Sequence, residues 1–438
     1  MISYFSVVNS VIETKYPLSF RKDDAQALGS HLRLRHSVEL IGLKRVGISD
    51  FLRFFLYRRG IVEKYIDKKQ FHLFIAVDLN DLVEREIFPF WILLLKRIAD
   101  AVETFKVPIS LKKEIANLFL SSIQSQDLFQ TQEFVREAIS KITRENIMPT
   151  IFFIRFDRIV DILDNQFFSN LESLIDRSGQ KLAYVFTAYR RIDEITKVEL
   201  DRNFLHVFSN VFYLVPTGHK DTEVIYKTLK KRYRLNLSGR LARVLFEISG
   251  GHVQYLHLCA VILNQTNGRL AADDLVDYLS ADERIKLQSE EIWESLNDSE
   301  KEIVLAIHRG KKVTGDQKRQ ASYLWESGLI KGSDGQSEVF SPLFDRFLKI
   351  KAGEAQEAEA GELTKKEKML YDLLFTNLDK VCEREKIIEA VWPESEELGV
   401  SDWTIDRLAA RLREKLKKQK SGFALITIKT RGFKLTQI

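Results

Sequence analysis

Ser37-Val38-Glu39-Leu40-Ile41-Gly42-Leu43-Lys44-Arg45-Val46-Gly47-Ile48-Ser49-Asp50-Phe51-Leu52 is the stretch on which the fold turns. A short apolar run leads into a loop with two glycines. An amphipathic segment follows, which predicts a helix from Asp50 to Tyr57. Phe71 to Asp78 predicts a second strand, Thr150 to Ile154 a third, Ala183 to Thr187 a fourth and Val211 to Leu214 a fifth. Helical patterns separate them, including one around Phe168 to Ile175. Near-continuous apolar strands alternating with helices predict a parallel sheet covered on both faces.

The chain has 438 residues, enough for two to four domains. It is 45% hydrophobic, so it can bury sizeable cores, and its 7 prolines and 20 glycines favour helices over a loop-rich β architecture. Two cysteines, Cys259 and Cys382, exclude a disulfide scaffold and a cysteine-rich zinc site, and they suit a reducing cytoplasm. Met1 to Phe20 lacks the basic start and apolar block of a secretory leader. The longest apolar run, Ile87 to Leu95, is cut by Lys96, far short of the roughly 20 residues a bilayer crossing needs. No membrane partner is expected.

Past Lys220 the strand signal fades. Helical periodicity runs to about Leu279, broken at Ser249-Gly250-Gly251-His252. Asn297 and Glu300 carry the spacing of a helix-capping box, and Leu329-Ile330 with Val339-Phe340 flank a turn to make a hairpin. Three helices and a hairpin predict a winged helix at 286–350. Its mixed surface charge (Asp316, Lys318, Arg319, Glu326) suits a structural role. Lys351 to Glu362 is acidic and lacks large apolar side chains, as a flexible linker does. The expected units are thus an N-terminal extension at 1–36, an α/β domain at 37–218, a helical lid at 219–285, the winged helix, the linker at 351–362 and a last unit at 363–438.

Gly42 to Ser49 lies where a phosphate-binding loop, G-x-x-x-x-G-K-[ST], would sit between strand and helix. In such a loop backbone N–H groups wrap phosphate, the lysine neutralises it and the hydroxyl holds magnesium. Here Ile48 takes the lysine position. From 37 to 279 the arrangement resembles AAA+/STAND-type P-loop ATPases. That resemblance implies a nucleotide site of Gly42, Lys44, Arg45, Gly47, Ser49, Asp157 as metal-binding acid and Thr187 as polar sensor. The departures are severe. In one alignment the acidic pair falls on Ile154 and Arg155, and Lys44 and Arg45 lie on the wrong side of Gly47 to replace the lysine. Phosphoryl transfer depends on positioned charge, so no hydrolysis and no bound ATP or magnesium are expected.

The last unit carries a sharper pattern. Leu363-Thr364-Lys365-Lys366-Glu367 opens a helix, Arg384 to Trp392 holds a second, and Val400 to Leu416 a third. In the third, Ile405, Leu408, Leu412 and Leu416 recur at helical spacing as a buried stripe. The chain closes with a hairpin, Leu425 to Leu435. From Val400 onward ten lysines and arginines face three acids, a larger surplus than the whole chain's net charge of +5. Residues 363–435 resemble the winged helix-turn-helix output domains of OmpR-type response regulators. The resemblance rests on L-T-x-x-E, Ala390-Val391-Trp392, Ser401-Asp402 before Thr404, Arg411-Leu412-Arg413-x-Lys415-Leu416 and Gly432-Phe433-Lys434-Leu435. It implies that Trp403, Thr404, Arg407 and Arg411 face double-stranded DNA, with Lys429 and Arg431 on the wing. Trp403 and Thr430 depart from the family's usual basic residue and wing glycine.

No histidine pair has metal-site spacing: His252 and His257 are five apart and read as lid packing. Asp273-Asp274 and Glu290-Glu291 read as solvated helix surface. The expectation is a cytoplasmic, non-enzymatic transcriptional regulator of α/β and winged-helix build, without metal or cofactor, whose body binds a protein or a second copy. Two alternatives stand: an adaptor or inhibitor that sequesters a protease or sigma-like factor in signalling or defence, and an ATP-binding switch without turnover.

Overall fold

In the computed structural model, residues 11–196, 210–235, 237–265, 275–332, 337–359, 363–393, 402–419, 421–428 and 431–437 are described. Five strands, β1 (Val38–Ile41), β2 (Phe71–Asp78), β3 (Ile147–Ile154), β4 (Ala183–Ala188) and β5 (Val211–Tyr213), form one sheet in the order β2-β3-β4-β1-β5. Every pairing is parallel, with Val38 opposite Val185 and Ile75 opposite Ile151. The α/β expectation and all five strands hold.

Side chains alternate across each strand, so the sheet divides two cores. Ile151, Phe153, Tyr184 and Phe186 enter one core, capped by the helices Ile87–Thr104, Leu128–Arg144 and Asn165–Arg177. Phe152, Val185 and Val38 enter the other. The run at Ile87 to Leu95 is a buried helix, as expected, and no helix among the described residues is long and apolar enough to cross a membrane.

The second core continues without a break through the lid helices and into the winged helix, ending at Leu348. It also takes in Tyr16, Phe20, Ala25, Leu28 and Leu32, so the residues read as an N-terminal extension help build the body. The winged helix has the expected capping box at Asn297 and Glu300 and a two-stranded hairpin, β6 (Ile330–Lys331) with β7 (Glu338–Val339).

One expectation differs. The segment read as a flexible linker is helical as far as Glu359, as the end of the helix Pro342–Glu359. Its alanines, glutamates and single lysine lack an apolar face, but they are strong helix formers and simply prolong a helix already nucleated.

The last unit has a core of its own. Leu370, Leu374, Ile387, Trp392, Ile405, Leu408, Leu412, Phe433 and Leu435 pack together, apart from both body cores. The helices Lys365–Thr376, Arg384–Val391 and Asp402–Lys418 sit on a three-stranded antiparallel sheet, β8 (Cys382–Glu383), β10 (Gly432–Gln437) and β9 (Phe423–Ile428). Thr364 and Glu367 form a capping box at the start of its first helix.

Candidate functional site

The loop after β1 leads into the helix Ile48–Tyr57, and its seven expected nucleotide-site residues all line one cavity of about 520 Å³. Gly42, Lys44, Arg45, Gly47 and Ser49 come from the loop, Asp157 from the turn after β3 and Thr187 from the end of β4. Sequence reasoning missed Arg158, Tyr189, Gln254 and Glu291 in the same cavity. Only folding brings the last two there, Gln254 from the lid and Glu291 from the helix Glu283–Glu294.

The loop is tightly held. Gly47 has φ +118°, and a Cβ there would stand 2.5 Å from Cγ2 of Val253 on the lid. Its lack of a side chain serves both the backbone conformation and the close approach. His252 fastens the same junction. Its Nδ1 accepts the Tyr255 N–H at 3.3 Å, so the proton sits on Nε2, which donates to the Lys44 carbonyl at 3.0 Å. Burial brings the imidazole pKa down to about 4, which keeps this tautomer neutral. The expected packing role of His252 is thus a latch between lid and loop.

The cations near the loop are engaged. Lys44 lies over the Tyr189 ring at 4.5 Å, and Arg45 Nε donates to Glu291 at 2.7 Å. Arg155, in a left-handed conformation with φ 61°, closes β3, pairs with Asp78 and donates its backbone N–H to Thr187 Oγ1 at 2.8 Å. Ile48, the first residue of its helix, packs against the apolar core. Burial raises the pKa of Asp157, against the pull of Lys44, Arg158 and Arg155.

Immediately after Tyr189, Arg190 ties the sheet to the winged helix. Its guanidinium donates to Glu300 at 2.8 Å and to the Ser295 carbonyl at 2.9 Å, and stacks on Tyr323 at 3.6 Å.

In the last unit, the stripe Ile405, Leu408, Leu412 and Leu416 is buried as expected. Arg407 and Arg411 lie on the outer side, and Trp403 lies in the first turn of the same helix. Thr404 is buried, 7% exposed, because its spacing of four from Leu408 turns it towards the stripe. Arg431 is exposed at the β9–β10 bend, 3.4 Å from Glu383. Lys429 lies outside the described residues, as do Asp273 and Asp274.

The outer arginines meet the body. Arg407 Nε donates to Glu294 at 2.7 Å, while Arg411 donates to Glu294 at 3.0 Å and to Glu290 at 3.2 Å. Glu290 and Glu294 belong to the helix Glu283–Glu294, which lies between the lid and the first winged helix. Glu290 is therefore not the solvated surface expected of it. Burial works against its carboxylate, yet Lys351, Arg411 and Lys366 outweigh that and hold its pKa below the ordinary value. No group of three or more His, Cys, Asp or Glu side chains among the described residues is placed to hold a metal ion.

Residues 358–435 match the family described as transcriptional regulatory protein, C terminal. The last unit is thus a DNA-binding domain of the OmpR type. No curated protein sequence matches the chain. Among solved structures, the Walker-type ATPase paby2304 of Pyrococcus abyssi is 14% identical over 75% of this chain and 95% of its own, with TM-score 0.46. The ORC2 protein of Aeropyrum pernix is 13% identical over 80% and 98%, also at 0.46. Cdc6p from Pyrobaculum aerophilum is 16% identical over 79% and 98%, at 0.36.

Proposed function

We propose that this chain is a transcriptional regulator that binds double-stranded DNA through residues 363–438 and uses its ATPase-like body as a regulatory platform without hydrolysing nucleotide. The observation that carries the DNA reading is the helix Asp402–Lys418, which buries one stripe in a separate core and sets Arg407 and Arg411 on its outer side within the matched family domain. Arginines so placed neutralise phosphates and reach base edges in a groove. Arg431, exposed at the wing bend, is assigned a further phosphate contact in this reading.

Absence of turnover is supported by the loop. An aliphatic side chain stands where a cation would meet the β and γ phosphates, Arg45 is paired with Glu291, and Lys44 is stacked on Tyr189. A second reading, docking to an acidic protein surface, draws support from the same helix, since its arginines already hold carboxylates at 2.7 to 3.2 Å.

A fragment spanning 358–438 separates the two, because its closed core allows it to fold alone. Fluorescence anisotropy with a labelled duplex is expected to show binding that weakens roughly a hundredfold between about 50 and 200 mM salt, as about four phosphate contacts require. Salt-insensitive or absent retention would favour the protein-docking reading. Magnesium-dependent phosphate release by the full chain, lost on Asp157→Asn, would refute the claim of no turnover.

A further inference from the structure

The helix Glu283–Glu294 has two working sides. Glu283, Glu290 and Glu294, spaced seven and four apart, lie on one side of the helix. They meet the DNA-binding unit: Glu283 accepts from Lys366 at 3.0 Å, and Glu290 and Glu294 hold Arg411 and Arg407. Gln288 and Glu291 lie about a third of a turn round. They hold the phosphate-type loop, Glu291 through Arg45 at 2.7 Å and Gln288 through the Lys44 carbonyl at 3.5 Å.

The first side has the character of a built surface. The Glu294 side chain is 3% exposed and that of Glu290 15%, with Lys301 and Lys351 lying 3.8 Å behind them. Glu367, on the DNA-binding unit itself, completes the cluster by accepting from Lys415 at 2.7 Å. Carboxylates in this arrangement offer guanidinium groups what a phosphate backbone offers: oxygen acceptors of negative charge, set in a row along a helix.

We propose that the acidic side of the helix Glu283–Glu294 is an internal substitute for DNA phosphate, in which Glu290 and Glu294 occupy Arg407 and Arg411 and hold the DNA-reading helix shut against the body. The inference rests on the DNA reading above. The same two guanidinium groups cannot serve Glu294 and a duplex at once, so binding requires the unit to part from the body. Apparent affinity then equals that of the open unit multiplied by the open fraction. Because the helix also grips the loop through Glu291 and Gln288, the closed state of the DNA-binding unit is built into the body's own packing.

The test compares four proteins on one labelled mixed-sequence duplex at low salt: the full chain, the full chain with Glu290→Gln and Glu294→Gln, the full chain with Glu283→Gln, and the fragment 358–438. The fragment is expected to bind best. The double variant should approach it, gaining about tenfold or more over the unaltered full chain if the open fraction is about a tenth or less. Glu283→Gln, which frees Lys366 and touches no residue proposed to meet DNA, should give a smaller gain in the same direction. Thermal melts of both variants establish that the body remains folded. A full chain that binds as tightly as the fragment, or a folded double variant with unchanged affinity beside a fragment that binds, overturns the masking. A fragment that binds no duplex overturns the DNA reading itself.

Discussion

Single residues in this protein carry more than their types announce. Glu39 sits inside β1, 1% exposed, and accepts the backbone N–H of Ile192 at 2.9 Å with one carboxylate oxygen, while the other has no partner. Burial pushes its pKa up to about 7. An acid whose folded pKa lies above its unfolded value stabilises the fold while protonated, and that contribution fades as pH rises from the unfolded value near 4.5 through about 7. Glu39→Gln should therefore be increasingly stabilising relative to the unaltered chain as pH climbs across this window. The difference should reach on the order of 3 kcal/mol in urea denaturation at each pH. No change in the difference with pH would show that the carboxyl finds a partner in solution. A strand of four residues with one acid gave no sign of this, because Glu39 reads equally well as an exposed edge position. Glu290 was illegible for a related reason: helical spacing tells which residues share a side, not which other unit covers that side.

Elements were far more legible. Five apolar runs became five strands within about three residues of their expected ends, since buried parallel strands admit little but aliphatic and aromatic side chains. In the last unit, the stripe from Ile405 to Leu416 fixed both the third helix and its buried side. What composition hid was the helical end at Lys351 to Glu359, where propensity outweighed the absence of an apolar face. The helices Ile109–Ser125 and Leu128–Arg144, between β2 and β3, also gave no clear signal. Their outer sides expose Ile109, Leu120, Ile123 and Phe129, which blurs the contrast that marks an amphipathic helix. At this scale the DNA-binding unit stands on its central helix. Leu412→Ala, at a fully buried site, should cost the 358–438 fragment about 2–5 kcal/mol, read from its denaturation midpoint. Leu412→Met, which nearly keeps the volume, should cost less than about 1.5 kcal/mol.

Across the whole molecule, the body and the first winged helix share one continuous core, and Arg190 pins their junction. The Arg190 and Glu300 side chains are 6% and 3% exposed, so removing either leaves a buried charge without its partner. Arg190→Ala should destabilise the chain by about 3–5 kcal/mol, whereas replacing both residues by apolar ones of similar size should restore much of the loss. Differential scanning calorimetry of the two variants distinguishes this from a general packing defect, in which the double replacement would be worse. The helix Glu283–Glu294 extends the connection to the far end of the chain, with the loop on one side and Arg407 and Arg411 on another. A helix gripped on two sides obeys a symmetry of energies: whatever ligand draws Arg45 off Glu291 and thereby eases the grip on Arg411 must itself be held more firmly, by the same factor, once a duplex has taken Arg411 away.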